Sequence, residues 1–157
     1  SNFKNNKGAS KYLSTSTLTA DDVTNATYQE TDSTYTITLE LKNGGSSYSS
    51  KKTEDNSPIA KTGLLSGKQL NTEYDYLNSE SINAGVKSKG AKANGIKAET
   101  TNAKITVTVE KETGNMISYE ASFDWKVDID TIKVMFITVP KATGNAQTKV
   151  KISDFVW

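Results

Sequence analysis

Between Met116 and Asp130 the chain alternates without a break. Ile117, Tyr119, Ala121, Phe123, Trp125, Val127 and Ile129 take the odd positions, and Ser118, Glu120, Ser122, Asp124, Lys126, Asp128 and Asp130 the even ones. Successive side chains leave a β-strand on opposite faces, so the stretch predicts a strand with one apolar and one charged face. At 3.6 residues per turn the same side chains would be spread around a helix, leaving no face to bury. Odd residues are therefore expected to share a dry surface, and their even neighbours to meet water.

The same period recurs elsewhere. Tyr35, Ile37, Leu39 and Leu41 alternate with Thr34, Thr36, Thr38 and Glu40, and Ile105, Val107 and Val109 alternate with Lys104, Thr106, Thr108 and Glu110. Both runs predict strands. Lys111 to Asn115 (KETGN) predicts a hairpin loop into the 116–130 strand, and Asn43-Gly44-Gly45 and Thr143-Gly144-Asn145 predict turns. A further strand is expected at Asn25 to Glu30, after a single helical turn capped by Thr19.

Thr131 to Pro140 is β-branched and aromatic, with Val134 to Ile137 apolar on both faces, which predicts a strand covered on both sides. In the last run Val150 and Ile152 are in one phase and Phe155 and Trp157 in the other, so a bulge is expected near Ser153-Asp154. Ser66-Gly67-Lys68-Gln69 fits a capping box, with Leu70, Tyr74 and Leu77 at helical spacing behind it. A helix is expected from about Gly67 to Glu80, packed on the sheet. Two stretches lack any period and predict loops: polar Ser46 to Ser57, and the glycine- and lysine-rich Gly85 to Gly95.

The fold class these elements predict is α+β and mostly antiparallel. One twisted sheet or half-barrel of about six or seven strands is expected, with one helix packed on it. Residues 1–16, with few apolar anchors, are expected to be a flexible leader to a single β-rich domain over 17–157.

Composition narrows the chemistry. The 157 residues include no cysteine, no histidine and no arginine, and 19 lysines stand against 18 acidic residues. Thiolate catalysis, disulfides, Cys/His zinc sites and a Ser-His-Asp triad are excluded. Without the guanidinium fork, and with a net charge of +1, nucleic acid is not an expected partner. No apolar run approaches the roughly 20 residues that span a bilayer as a helix. Abundant Thr, Ser, Asn and Lys without Arg or Cys resembles the composition of exported proteins of low-GC Gram-positive bacteria.

Four constellations bear on function. Asp124, Asp128 and Asp130 share the charged face, but same-face neighbours on a strand stand roughly 6.8 Å apart, so their carboxylates do not converge on a metal ion unaided. A two-carboxylate glycosidase would want acids beside an aromatic platform, yet alternation sends Trp125 to the face opposite Glu120 and Asp124. No catalytic residue, cofactor or metal site is assigned. Lys87, Lys89, Lys92 and Lys97 read either as an anion-binding patch or as solvated lysines of a loop. Tyr74, Tyr76, Trp125 and Trp157 are the candidate ligand contacts, able to stack on sugar rings or line an apolar cavity, and Tyr76 alone stands off the Leu70/Tyr74/Leu77 helix face, where an exposed ring marks a binding surface.

The arrangement of alternating strand, acidic-Thr-Gly hairpin and long alternating strand in Ile105 to Ile129, preceded by Ser-Pro-Ile-Ala-Lys at Ser57 to Lys61 and a helix, resembles domains of uncharacterised surface lipoproteins of Gram-positive gut Clostridia. At the fold level it is also similar to bacterial lipoproteins built on a curved antiparallel sheet. The resemblance implies an extracellular or cell-surface protein, tethered through an N-terminal lipid anchor outside this sequence, and transfers no functional residue.

The expected function is that of a non-enzymatic binding or adhesion domain with a protein or glycan partner. A carrier of an apolar small molecule, such as a lipid or acyl chain held between sheet and helix, is the first alternative. A structural stalk is the second.

Overall fold

The computed structural model describes residues 15–63 and 77–157. Among them are seven strands: β1 (Val23–Glu30), β2 (Thr34–Leu41), β3 (Gly44–Tyr48), β4 (Ala91–Glu110), β5 (Met116–Val134), β6 (Ile137–Val139) and β7 (Ala142–Ser153). One helix, α1 (Ser79–Ser88), and two short 3₁₀ turns, Ala20–Asp22 and Pro58–Thr62, complete them. All strand pairs are antiparallel, and the sheet is open rather than closed into a barrel. The fold class is α+β.

Two long strands form the spine. β4 and β5 pair from Ala91↔Val134 to Val109↔Met116. On the far side of β4 lie β3, along residues 96–100, and β2, along 104–110, with β1 beyond β2. On the far side of β5 lie β7, along 118–129, and β6, along 132–134.

The odd residues of β5 do form the dry surface. Tyr119, Ala121, Phe123, Val127 and Ile129 are buried, and Trp125 is half-buried between two apolar clusters. Phe123, Val127 and Ile129 each contribute roughly 1.5–3 kcal/mol by this burial. Ile117 departs from the rule because it is the extra residue of a bulge between the pairs Val109↔Met116 and Thr108↔Ser118. Its exposure follows from the lost register.

The partner strand changes phase twice. Its buried set runs Ile96, Ala98, Thr100 and then Ala103, Ile105. The switch is a bulge at Asn102, which has φ 53° and donates from Nδ2 to Asp124 Oδ2 at 2.7 Å. Asparagine tolerates the left-handed region because its short side chain bonds locally. The earlier switch, from Ala91 to Ile96, coincides with Gly95 at φ 65°, where an added Cβ would lie 1.9 Å from Asp130 Oδ2.

Several expectations are corrected. Gly85 to Gly95 is not a loop. It holds the end of α1, a left-handed Gly90 and the first turns of β4. Asn78 caps α1, its side chain accepting from the N–H groups of Glu80 and Ser81. Of the helix expected over Gly67–Glu80, the part before Leu77 lies outside the described residues, as do residues 1–14 of the leader. Ser46 to Ser57 is the expected exposed loop only over residues 49–56. Its first residues belong to β3, and buried Ser46 and Ser57 bond to Ser79 (2.9 Å) and Thr100 (3.0 Å), tying α1 and the 58–62 turn to the sheet.

Gly44 and Gly45 serve close approach rather than a turn: a Cβ on Gly45 would lie 2.1 Å from the Ala98 carbonyl. Thr143-Gly144-Asn145 lies within β7. The phase change at the C-terminus comes from left-handed Asp154, at φ 59°, just after β7 ends. At the N-terminal side, the Asp22 carboxylate accepts from Thr19 N–H (2.9 Å) and Thr19 Oγ1 (3.0 Å), and Lys61 Nζ donates to it at 2.6 Å.

The largest correction concerns Thr131 to Pro140. Among the described residues nothing covers its end on either side. Met135 and Phe136 form a two-residue turn between β5 and β6 and stand in solvent.

Candidate functional site

The two faces of the sheet are chemically separate, and pairing register explains how. One row crosses five strands as Thr27, Thr38, Thr106, Glu120 and Lys151, and the next as Asn25, Glu40, Lys104, Ser122 and Lys149. These rows are the polar face. Thr38 and Thr106 hydroxyls bond at 3.1 Å, and Lys151 donates to Glu120 at 2.6 Å.

Glu120, Asp124 and Asp128 of β5 are spoken for on that face. Asp124 accepts from Asn102 at 2.7 Å and Gln147 at 3.0 Å, and Asp128 from Lys126 at 2.7 Å and Thr143 at 3.0 Å. Those bonds hold both carboxyls below the usual aspartate range, Asp124 chiefly through Asn102 and Asp128 chiefly through Lys126. Their oxygens point to separate partners and do not converge.

On the other face an apolar row runs through Tyr28, Ile37, Val107, Tyr119 and Ile152. Burial falls along this single row: Tyr119 is 2% exposed, Ile37 39% and Tyr28 56%. The central cover comes from Ile59 and its 3₁₀ turn, with Leu18, Leu77 and Phe155 packed around it. Beyond that cover, among the described residues, the apolar face grows more exposed toward the β1 edge.

The bare corner is aromatic. The rings of Tyr28 and Tyr35 lie 5.6 Å apart, and Lys111 Nζ sits 4.9 Å from the Tyr35 ring centre. Tyr28 donates its hydroxyl to Glu30 at 2.8 Å. Desolvation first, and the Glu30 bond second, push the Tyr28 phenol up to about 12. Glu30 is held low chiefly by Lys111. From Tyr35 the next row continues through half-buried Val109 and Met116. There Trp157 donates its indole N–H to the Met116 carbonyl at 3.0 Å and stacks on Phe155 at 5.7 Å. Trp157 remains 67% exposed.

Of the four candidate contacts, Trp157 therefore belongs to this aromatic end. Trp125 is placed otherwise: its indole N–H is committed to the Leu77 carbonyl at 2.7 Å, and its ring packs against both apolar clusters. Tyr74 and Tyr76 lie outside the described residues. Tyr28, Tyr35 and Ile37 were missed because alternation assigns them to the core face. The available signal was the weakness of the neighbouring Asn25–Glu30 run, whose apolar residues are only Ala26 and Tyr28.

Two open clefts of ≈ 480 and ≈ 470 Å³ lie elsewhere. The first is lined mainly by polar residues such as Asn43, Ser47, Thr53 and Asn56, and the second by Thr24, Glu40, Asn102 and Lys104. Neither is an apolar chamber. No helix among the described residues is long and apolar enough to cross a membrane. Comparison with family models, curated proteins and solved structures found no match.

Proposed function

We propose that this is a non-enzymatic binding domain of the extracellular space or cell surface, which engages a protein or glycan through the aromatic end of its sheet. The observation that carries the reading is the burial gradient along the row from Tyr119 to Tyr28, which leaves a planar apolar corner uncovered. Exposed aromatic faces rimmed by polar groups suit sugar rings or apolar side chains. Here Glu30 and Lys111 supply that rim, and both are already ordered by each other. The surface location rests on the composition and on the resemblance to surface lipoproteins. A carrier would instead need an enclosed apolar chamber, and a stalk would need neither feature.

The test is a glycan array and a panel of immobilised extracellular proteins, probed with the wild-type chain and with Tyr35→Ala and Trp157→Ala. Binding that weakens at least tenfold in both variants, with melting temperature retained, supports the reading. Ligands that bind both variants as they bind the wild type would refute it. Lipid found by native mass spectrometry on protein from its own host would favour the carrier.

A further inference from the structure

The turn joining β5 to β6 is closed by the pair Val134↔Ile137, leaving only Met135 and Phe136 at the tip. Met135 has φ 53°, a conformation that suits glycine or asparagine at such a turn. Yet Met135 is 87% exposed, Phe136 99% and Ile137 68%. Three large apolar side chains thus project into water where the backbone itself favours small polar residues. Packing within the chain gives no reason for them.

The charges around the tip are as one-sided as its side chains. Beside it, residues 85–95 contain three lysines and residues 131–142 two, with no acid in either stretch, and the nearest acid along β5 is Asp130. The fold brings the two stretches together. Lys92 lies directly across from Lys133 in the β4–β5 pair, Lys89 caps the end of α1 just before β4, and Lys141 follows β6. Like charges directly opposite in a strand pair disfavour folding, so this pairing does not serve stability. Among the described residues Lys89, Lys92 and Lys133 form no ion pair, unlike Lys97, which pairs with Glu99.

We propose that the β5–β6 hairpin tip docks on an anionic lipid bilayer. Met135, Phe136 and Ile137 enter the boundary between headgroups and acyl chains, and Lys89, Lys92 and Lys133 lie against the anionic headgroups. The combination selects the occupant. A cleft in a protein could take the phenyl ring, but only an extended anionic surface also uses an acid-free collar of lysines. The docking is shallow and reversible, since a few side chains anchor far less than a spanning helix. It is independent of the aromatic end: Met116 and Val134 terminate opposite ends of β5, so a docked tip holds the aromatic corner away from the bilayer.

Vesicle co-sedimentation tests it. The wild-type chain is expected to bind vesicles of equimolar phosphatidylcholine and phosphatidylglycerol, to ignore pure phosphatidylcholine, and to dissociate as salt rises. Phe136→Ser is expected to weaken binding at least tenfold, because the ring is the most exposed apolar group at the tip. Each of Lys92→Gln and Lys133→Gln is expected to cost about fivefold.

Unchanged melting temperatures separate these effects from misfolding. In a second measurement, Phe136→Trp gains emission that brominated lipids quench beyond the wild-type level. Absence of wild-type binding to the anionic vesicles, or equal binding by Phe136→Ser, overturns the proposal. Self-association that Phe136→Ser abolishes, without vesicle binding, also overturns it and makes the tip a contact between copies.

Discussion

The middle of β5 and the hairpin at its end carry six apolar residues each and meet opposite fates. From Tyr119 to Ile129 every second residue is apolar, and those residues are buried or half-buried. From Ile132 to Val139 nearly every residue is apolar or β-branched, and most are exposed. The difference lies in neighbours. The middle is flanked by β4 and β7 along its whole length and roofed by Ile59 and the groups around it, whereas toward the tip β4 ends opposite Val134, β6 lies on the other side, and among the described residues nothing roofs Met135 and Phe136. Hydrophobicity supplies a driving force, but only a second layer converts it to burial.

The sharpest break between the two regions is phenylalanine removal. Phe123→Ala is expected to lose about 3–5 kcal/mol by chemical denaturation, the range for an aromatic truncated inside a packed core. Phe136→Ala is expected to change stability by no more than about 0.5 kcal/mol. Similar losses at both positions would mean that the tip is packed in solution. Next comes Trp125→Phe, which keeps most of the ring but removes the donor to Leu77. It is expected to cost about 0.5–1.5 kcal/mol and to release the chain before α1 to faster hydrogen exchange.

At the tip the sign reverses. Met135→Gly is expected to stabilise by about 0.5–1 kcal/mol, because glycine meets φ 53° without strain and little packing is lost. A loss of stability would show that Met135 makes contacts its exposure conceals.

The smallest effect is electrostatic and belongs to the middle alone. Asp124, Asp128 and Glu120 all sit below their usual pKa, Glu120 chiefly through Lys151, and the tip has no acid at all. A carboxylate whose pKa is depressed in the folded state stabilises above its ordinary value, and that contribution is lost as pH falls through the lowered one. Asp124→Asn is therefore expected to melt below the wild type at neutral pH, with the gap closing in acid. A gap indifferent to pH would remove Asp124 from this account.

Much of this architecture was legible in residue order. Period two is a local property of a strand, so β2, the second half of β4 and the middle of β5 could be read directly, and Lys111 to Asn115 reads as a hairpin because Gly114 takes the left-handed turn position at φ 72°. The glycine- and lysine-rich 85–95 stretch was not legible. Its strand character depends on β5 as a partner, and Gly95 marks a close approach to Asp130 that no local pattern encodes. Trp157 could be singled out as an aromatic off phase, but its place at the same end of the sheet as Tyr35, reached through Val109 and Met116, arises from strands far apart in the chain.

Residue order by itself determined which side chains share a face, because alternation is set by the backbone of each strand alone. It also set the chemical exclusions that follow from lacking histidine, cysteine and arginine. Tertiary structure decided which parts of the apolar face are covered, since cover is a contact between elements distant in sequence. It likewise drew the lysines of two separate stretches to one tip, which a net charge of +1 spread over the whole chain conceals.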